Sequence, residues 1–118
     1  MRFVIMLAFA LTSAWAVADD DSSAVAAGYA IYSQTCIACH GANGKGTIPG
    51  VADMTDADGA LAKPDEELLK SITEGFQSPG SVLAMPPNGG NPTLTDEDVN
   101  AVLAYLRAEF GRSGSSPR

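Results

Sequence analysis

The chain opens on an almost unbroken apolar run, Phe3 to Ala18, and nothing comparable follows it. Beyond it, apolar positions gather at helical spacing in three places, separated by stretches that glycine and proline interrupt. Ala24 to Thr35 is rich in alanine, with Val25, Tyr29, Ile31 and Tyr32 among the small residues, and predicts a helix running into Cys36. Pro64 and Asp65 open a second helix, which Glu66 and Glu67 favour near its positive end and Gly75 stops. Leu68, Leu69 and Ile72 give it one apolar face. Val99, Val102, Leu103, Leu106 and Phe110 mark a third helix that ends at Gly111. Its start, Thr95-Asp96-Glu97-Asp98, fits a capping box, and Leu94 is placed to staple onto Val99. No period-two alternation marks a strand, and no segment repeats. The pattern predicts an all-α fold with three main helices in one domain, residues 19–111, followed by a disordered tail, 112–118.

The remaining segments are long. Residues 41–62 form an irregular stretch that begins with the turn-forming run Gly41 to Gly46, and Gln77 to Pro92 carries Pro79-Gly80, Pro86-Pro87 and Gly89-Gly90. Such stretches are uncommon in a compact domain unless they wrap something. The run after residue 40 lacks the preceding strand and the Lys-Ser/Thr ending of a phosphate loop.

The opening run reads as a signal peptide, residues 1–18. Met1-Arg2 gives a positive start, Ala16-Val17-Ala18 fits the small-x-small cleavage pattern, and the apolar stretch is too short to span roughly 30 Å of hydrocarbon at about 1.5 Å per residue. The expectation is an exported, periplasmic protein with no stable membrane insertion. The only tryptophan, Trp15, leaves with the leader, so the mature chain has few large apolar side chains with which to fill a core. Seven Lys and Arg stand against fourteen Asp and Glu, a formal charge of −7 that losing Arg2 makes more negative. That surface repels nucleic acid; it either steers the protein toward a basic partner or simply keeps it soluble.

The chemistry is concentrated in five residues. The two cysteines and the single histidine form Cys36-Ile37-Ala38-Cys39-His40, the C-x-x-C-H pattern of c-type haem attachment. A two-residue gap lets both thiols reach the vinyl groups on one porphyrin edge as thioethers, and the next residue then lies under the iron. His40 would offer one ring nitrogen to iron, and its other N–H would need an acceptor that fixes the ring. Zinc fits poorly, because two Cys and one His crowded together supply only three ligands. A thioredoxin-like redox pair would need a βαβ setting that the flanking pattern does not provide. A disulfide across so small a loop would stabilise little.

Two more residues belong with these. Met85 precedes two prolines, which hold it in an extended, stiffened segment able to present a thioether at a fixed place. Gly28 sits inside the first helix, where glycine costs up to about 1 kcal/mol relative to alanine, so a packing reason is expected; it shares a face with Tyr32.

Taken together, residues from Gly28 to Phe110 resemble the class I c-type cytochromes, small bacterial monohaem proteins. The resemblance implies a cytochrome c fold wrapped around one covalent haem c held by Cys36, Cys39 and His40. Met85 with Pro86 resembles the family's distal Met-Pro ligand; Met54, the other methionine beyond the leader, falls on the segment expected along the proximal side. Pro49 resembles the proline whose backbone C=O accepts the imidazole N–H, although by itself it is equally an ordinary loop proline. Gly28 and Tyr32 resemble the glycine and aromatic of the family's first helix, and Val102 and Tyr105 their partners on the last. The implied function is transfer of single electrons between redox proteins such as a dehydrogenase, reductase or oxidase, without catalysis. The alternative is a haem-based sensor or peroxidase-like module in which Met85 dissociates. The chain departs from the family in lacking a tryptophan for a haem propionate and in having an acidic rather than lysine-rich surface.

Overall fold

The computed structural model describes residues 20–111; the predicted leader, residues 1–18, and the tail, 112–118, lie outside them. Helix α1 spans Asp20–Ile31, earlier than expected, because the acidic and serine residues read as a lead-in form its first turn instead. The helix does not stop at Cys36. It passes through a π-helical turn, Tyr32–Cys36, and continues as α2, Ile37–His40. Helix α3 is Asp65–Glu74 and helix α4 is Asp96–Glu109. The described residues contain no strand, only one isolated bridge between Phe76 and Met85.

Both later helices start as their sequences predict. Pro64 caps α3 in an extended conformation, with Asp65, Glu66 and Glu67 in the first turn. At α4 the Thr95 hydroxyl accepts from the Asp98 N–H at 3.2 Å, and an Asp98 carboxylate oxygen accepts from the Thr95 N–H at 2.9 Å. The two bonds complete the capping box. The loop before α4 is less irregular than expected, since Pro87–Gly90 forms a short 3-10 turn in which Asn88 and Gly89 adopt φ of 52° and 62°.

Helices α1 and α4 cross in direct backbone contact. A Cβ on Gly28 would overlap the Ala101 carbonyl and come within 2.8 Å of the Tyr105 Cβ, so only glycine permits the crossing. Tyr105 is the expected partner; Ala101, rather than Val102, lies directly beneath the glycine. Val102 instead joins the core, with Tyr32, Met54, Leu61, Leu68, Leu103, Tyr105, Leu106 and Phe110.

Arg107 fastens α3 to α4. Its guanidinium donates to the Asp65 carboxylate, at 2.6 and 2.9 Å, to the Lys63 carbonyl at 2.8 Å, and to the Leu61 carbonyl. The planar fork suits several acceptors at once, which lysine's point charge does not. These contacts fix the turn 60–63 and the start of α3 against the last helix.

Candidate haem-attachment site

Cys36, Cys39 and His40 lie at positions i, i+3 and i+4 of one helical segment, which places them on a common face. The π turn immediately before them decides which face that is. Gly28 and Tyr32 belong to the stripe packed against α4, and a straight α-helix would continue that stripe close to Cys36. In the π turn the Ile37 N–H reaches back to the Tyr32 carbonyl, five residues away. The extra residue turns everything after it by about 100° relative to the packed stripe. Tyr32 therefore stays buried while Cys36 is half-buried and Cys39 exposed, so both thiols are presented away from the helix crossing.

The end of α2 is closed by hydrogen bonds. The Ile37 carbonyl accepts from the Gly41 N–H at 2.8 Å, and the Ala38 carbonyl accepts from the Thr47 hydroxyl at 2.6 Å. The Cys39 carbonyl accepts the Thr47 N–H at 2.9 Å and its hydroxyl at 3.2 Å, and the His40 carbonyl accepts the Gly46 N–H at 2.9 Å. The four last carbonyls of the helix all have partners, so the backbone bearing the cysteines and the histidine is fixed from both sides. Thr47 escaped the sequence reading. A hydroxyl residue directly after a glycine run at a helix end was the available signal.

Both cysteines are free thiols. Burial, with a smaller contribution from the neighbouring Cys39, pushes the Cys36 thiol up to about 11, so it remains protonated near neutrality. Burial also lowers the His40 imidazole from its usual range, which favours the neutral ring that a metal ligand requires. Its Nδ1 is buried and has no hydrogen-bond partner. Pro49, whose carbonyl was the expected acceptor, lies exposed in the turn closed by the Val51 N–H on the Ile48 carbonyl, and the bond to His40 is not made in this arrangement.

Met85 is held by its backbone. Its N–H donates to the Phe76 carbonyl at 2.7 Å, and its carbonyl accepts the Phe76 N–H at 3.0 Å. Gly75 makes room for this pairing: it has φ +84°, and a Cβ there would sit 2.8 Å from the Met85 carbonyl oxygen. After Met85, Pro86 is extended and leads into the Pro87–Gly90 turn, which packs on the π turn. Gly89 lies against Thr35, and the Asn91 amide reaches the Thr35 hydroxyl at 3.4 Å. The Met85 segment is thereby anchored to the helix one residue before Cys36. Met54, in contrast, is 5 % exposed and belongs to the core.

Several large apolar side chains remain exposed on the adjoining loops, namely Ile48, Phe76, Leu83 and the wholly exposed Val82. The Pro49-Gly50 turn and the Ser81–Leu83 segment approach each other, since a Cβ on Gly50 would lie 3.9 Å from the Leu83 Cβ. A partnerless buried ring nitrogen, two thiols on its helix face and apolar loops left open to water form a donor set and surroundings that suit haem c. Among the described residues no three or more His, Cys, Asp or Glu side chains converge as a metal site of their own.

Comparison with known proteins agrees. The family described as "Cytochrome C oxidase, cbb3-type, subunit III" matches residues 23–106. Cytochrome c-555 of Chlorobaculum thiosulfatiphilum is 35% identical over 81 residues, covering 69% of this chain and 91% of that protein. Cytochrome c-554(548) of Halomonas halodenitrificans is 32% identical over 75 residues, 64% of this chain and 84% of its own length. A lupanine 17-hydroxylase [cytochrome c] of a Pseudomonas species is 36% identical over 75 residues, but these are only 9% of that protein. No solved structure is matched.

Proposed function

The chain belongs to the monohaem cytochrome c family, and from that premise we propose that it carries single electrons on one haem c, held by Cys36 and Cys39 with His40 and Met85 as axial ligands. The group supplies reversible one-electron chemistry at iron, and methionine with histidine raises its potential. The rest of the work falls to the chain. The closed end of α2 fixes the two thiols and the imidazole relative to one another before any bond forms. Burial keeps His40 neutral and Nε2 free to ligate, once Nδ1 acts as donor to an acceptor such as the Pro49 carbonyl. The Phe76 bridge and the Thr35 anchor keep Met85 from drifting, which favours a permanently occupied sixth position over an open one. Transfer then proceeds through a short-lived, small interface, with no substrate bound.

The observation that carries this reading is the single helix face bearing Cys36, Cys39 and His40 beside a buried Nδ1 without a partner. We assign the protein to the periplasm on its leader-like N-terminus; among the described residues no helix is long and apolar enough to cross a membrane. A formal charge of −7 favours partners with a basic docking face, whose reaction slows as salt rises. The test is to express the chain in a host competent in cytochrome maturation, then weigh it and record its absorption. A mass increased by one haem and a low-spin ferric spectrum with the methionine-to-iron charge-transfer band are expected. A bare polypeptide mass defeats the assignment, and a high-spin spectrum favours the sensor or peroxidase-like alternative.

A further inference from the structure

All three tyrosines of the chain stand in one continuous stack. Tyr29 on α1 is 58 % exposed, and its ring lies 5.5 Å from that of Tyr105 on α4. Tyr105 in turn lies 5.2 Å from Tyr32, which is 1 % exposed. The Tyr32 hydroxyl donates at 2.6 Å to the carbonyl of Gly41, the residue after His40, and lies within electrostatic reach of the Cys36 thiol. Phe110 touches both buried rings at 5.7 and 5.8 Å, but a plain benzene ring gives up an electron far less readily than a phenol. Three phenols thus lead from the residues that hold the haem to water, each ring in contact with the next.

We infer that Tyr32, Tyr105 and Tyr29 form a relay that discharges an oxidising equivalent from the haem onto Tyr29 when the protein meets hydrogen peroxide. The inference rests on the haem assignment above. Ordinary electron traffic bypasses the relay, because a phenol yields its electron only to an oxidant much stronger than ferric haem. In the protective reaction one peroxide, one ferrous haem, one Tyr29 phenol and one proton give two waters, ferric haem and a neutral phenoxyl on Tyr29. The O–O bond breaks, iron supplies one electron and Tyr29 the other, and the phenolic proton leaves to solvent.

Proton release sets the direction. An oxidised phenol is a strong acid, so the radical settles where its proton can depart. Tyr32 faces only a backbone carbonyl, a weak base, and Tyr105 is 7 % exposed. The Glu109 carboxylate is near enough to disfavour a second negative charge on Tyr105, and the same field favours an electron-poor ring there in passing. Tyr29 alone of the three opens to water.

The test uses ferrous holoprotein whose covalent haem has been verified by mass and absorption, so that failure of the haem assignment is seen before peroxide is added. One equivalent of hydrogen peroxide is mixed in with a nitroso spin trap, and the digest is mapped by mass spectrometry. The trap is expected on Tyr29, and Tyr105→Phe, which keeps the ring but removes the oxidisable phenol, is expected to lose that adduct. Tyr29→Phe is expected to bleach its haem faster than the parent on repeated peroxide addition. No adduct on Tyr29, or an undiminished one in Tyr105→Phe, overturns the relay. If Tyr105→Phe fails to fold, the exposed Tyr29→Phe still decides, and bleaching at the parent rate overturns it.

Discussion

Replacing Gly28 with alanine sets two opposing effects against each other, and the geometry says which one wins. Alanine in a helix interior is favoured over glycine by roughly 0.5–1 kcal/mol, so on an open surface the substitution would stabilise α1. Here the new methyl would overlap the Ala101 carbonyl oxygen and lie 2.6 Å from the carbonyl carbon and 2.8 Å from the Tyr105 Cβ. Ordinary carbon contacts sit at about 3.5–4.0 Å, so the helices would have to part by about 1 Å. Two of the three obstructing atoms are backbone and cannot swing aside. Overpacking of this kind costs about 1–3 kcal/mol, and rigid neighbours place it at the upper end; after the propensity gain, a net loss of about 2 kcal/mol is expected. In a domain of this length each kcal/mol lowers Tm by about 4–8 °C. Urea denaturation of holoprotein, parent against Gly28→Ala, measures the loss as a lower midpoint at unchanged slope. A Gly28→Ala variant as stable as the parent would refute the claim that direct backbone contact between the first and last helices organises this fold.

Other sites make independent predictions. Thr47→Val removes the hydroxyl from the Ala38 and Cys39 carbonyls while keeping the side-chain shape; a loss of about 1 kcal/mol is expected by denaturant titration, together with faster amide exchange of Gly46 and Thr47. Met85→Ala should lower the reduction potential and let the ferrous protein bind carbon monoxide, both read spectroscopically; an unchanged potential would exclude Met85 as ligand. Thr95→Ala removes the N-cap of α4 at a cost of about 1 kcal/mol, measured by thermal melting. Hydrogen bonds from Thr95 hold the Asp98 carboxyl below the usual range, so its contribution is present above the unfolded value of 3.8 and is lost as pH falls through the lower folded value. The loss of stability as pH falls below about 4 should therefore be shallower in Thr95→Ala, and an identical acid profile would contradict that linkage.

The features that could be read from sequence were those encoded within a few residues. Cys36-Ile37-Ala38-Cys39-His40 carries its chemistry in one turn, Thr95-x-x-Asp98 contains both halves of its cap, and Pro64 and Gly75 bracket α3 by their own backbone preferences. The features that were missed depend on distant residues. Nothing in Tyr32-Ser33-Gln34-Thr35 announces a π turn; it arises where a stripe that packs on α4 has to give way to a face that carries thiols. Thr35 acquires its role only when Asn91 and Gly89 arrive, and Arg107 only when residues 61–65 fold beneath it. Likewise Gly28 announced a close crossing by its cost, but whether Ala101 or Val102 lay under it depended on the rotation of α4.

Because α1 is sealed by α4, the architecture cannot close until almost the last residue is in hand. A polypeptide emerging from a ribosome or threading through a translocation channel leads with its N-terminus, so its first helix waits without a mate while some seventy residues follow. During that delay the cysteines are open to the enzymes that would load them, and the unfinished chain stays pliant enough to be passed through a pore.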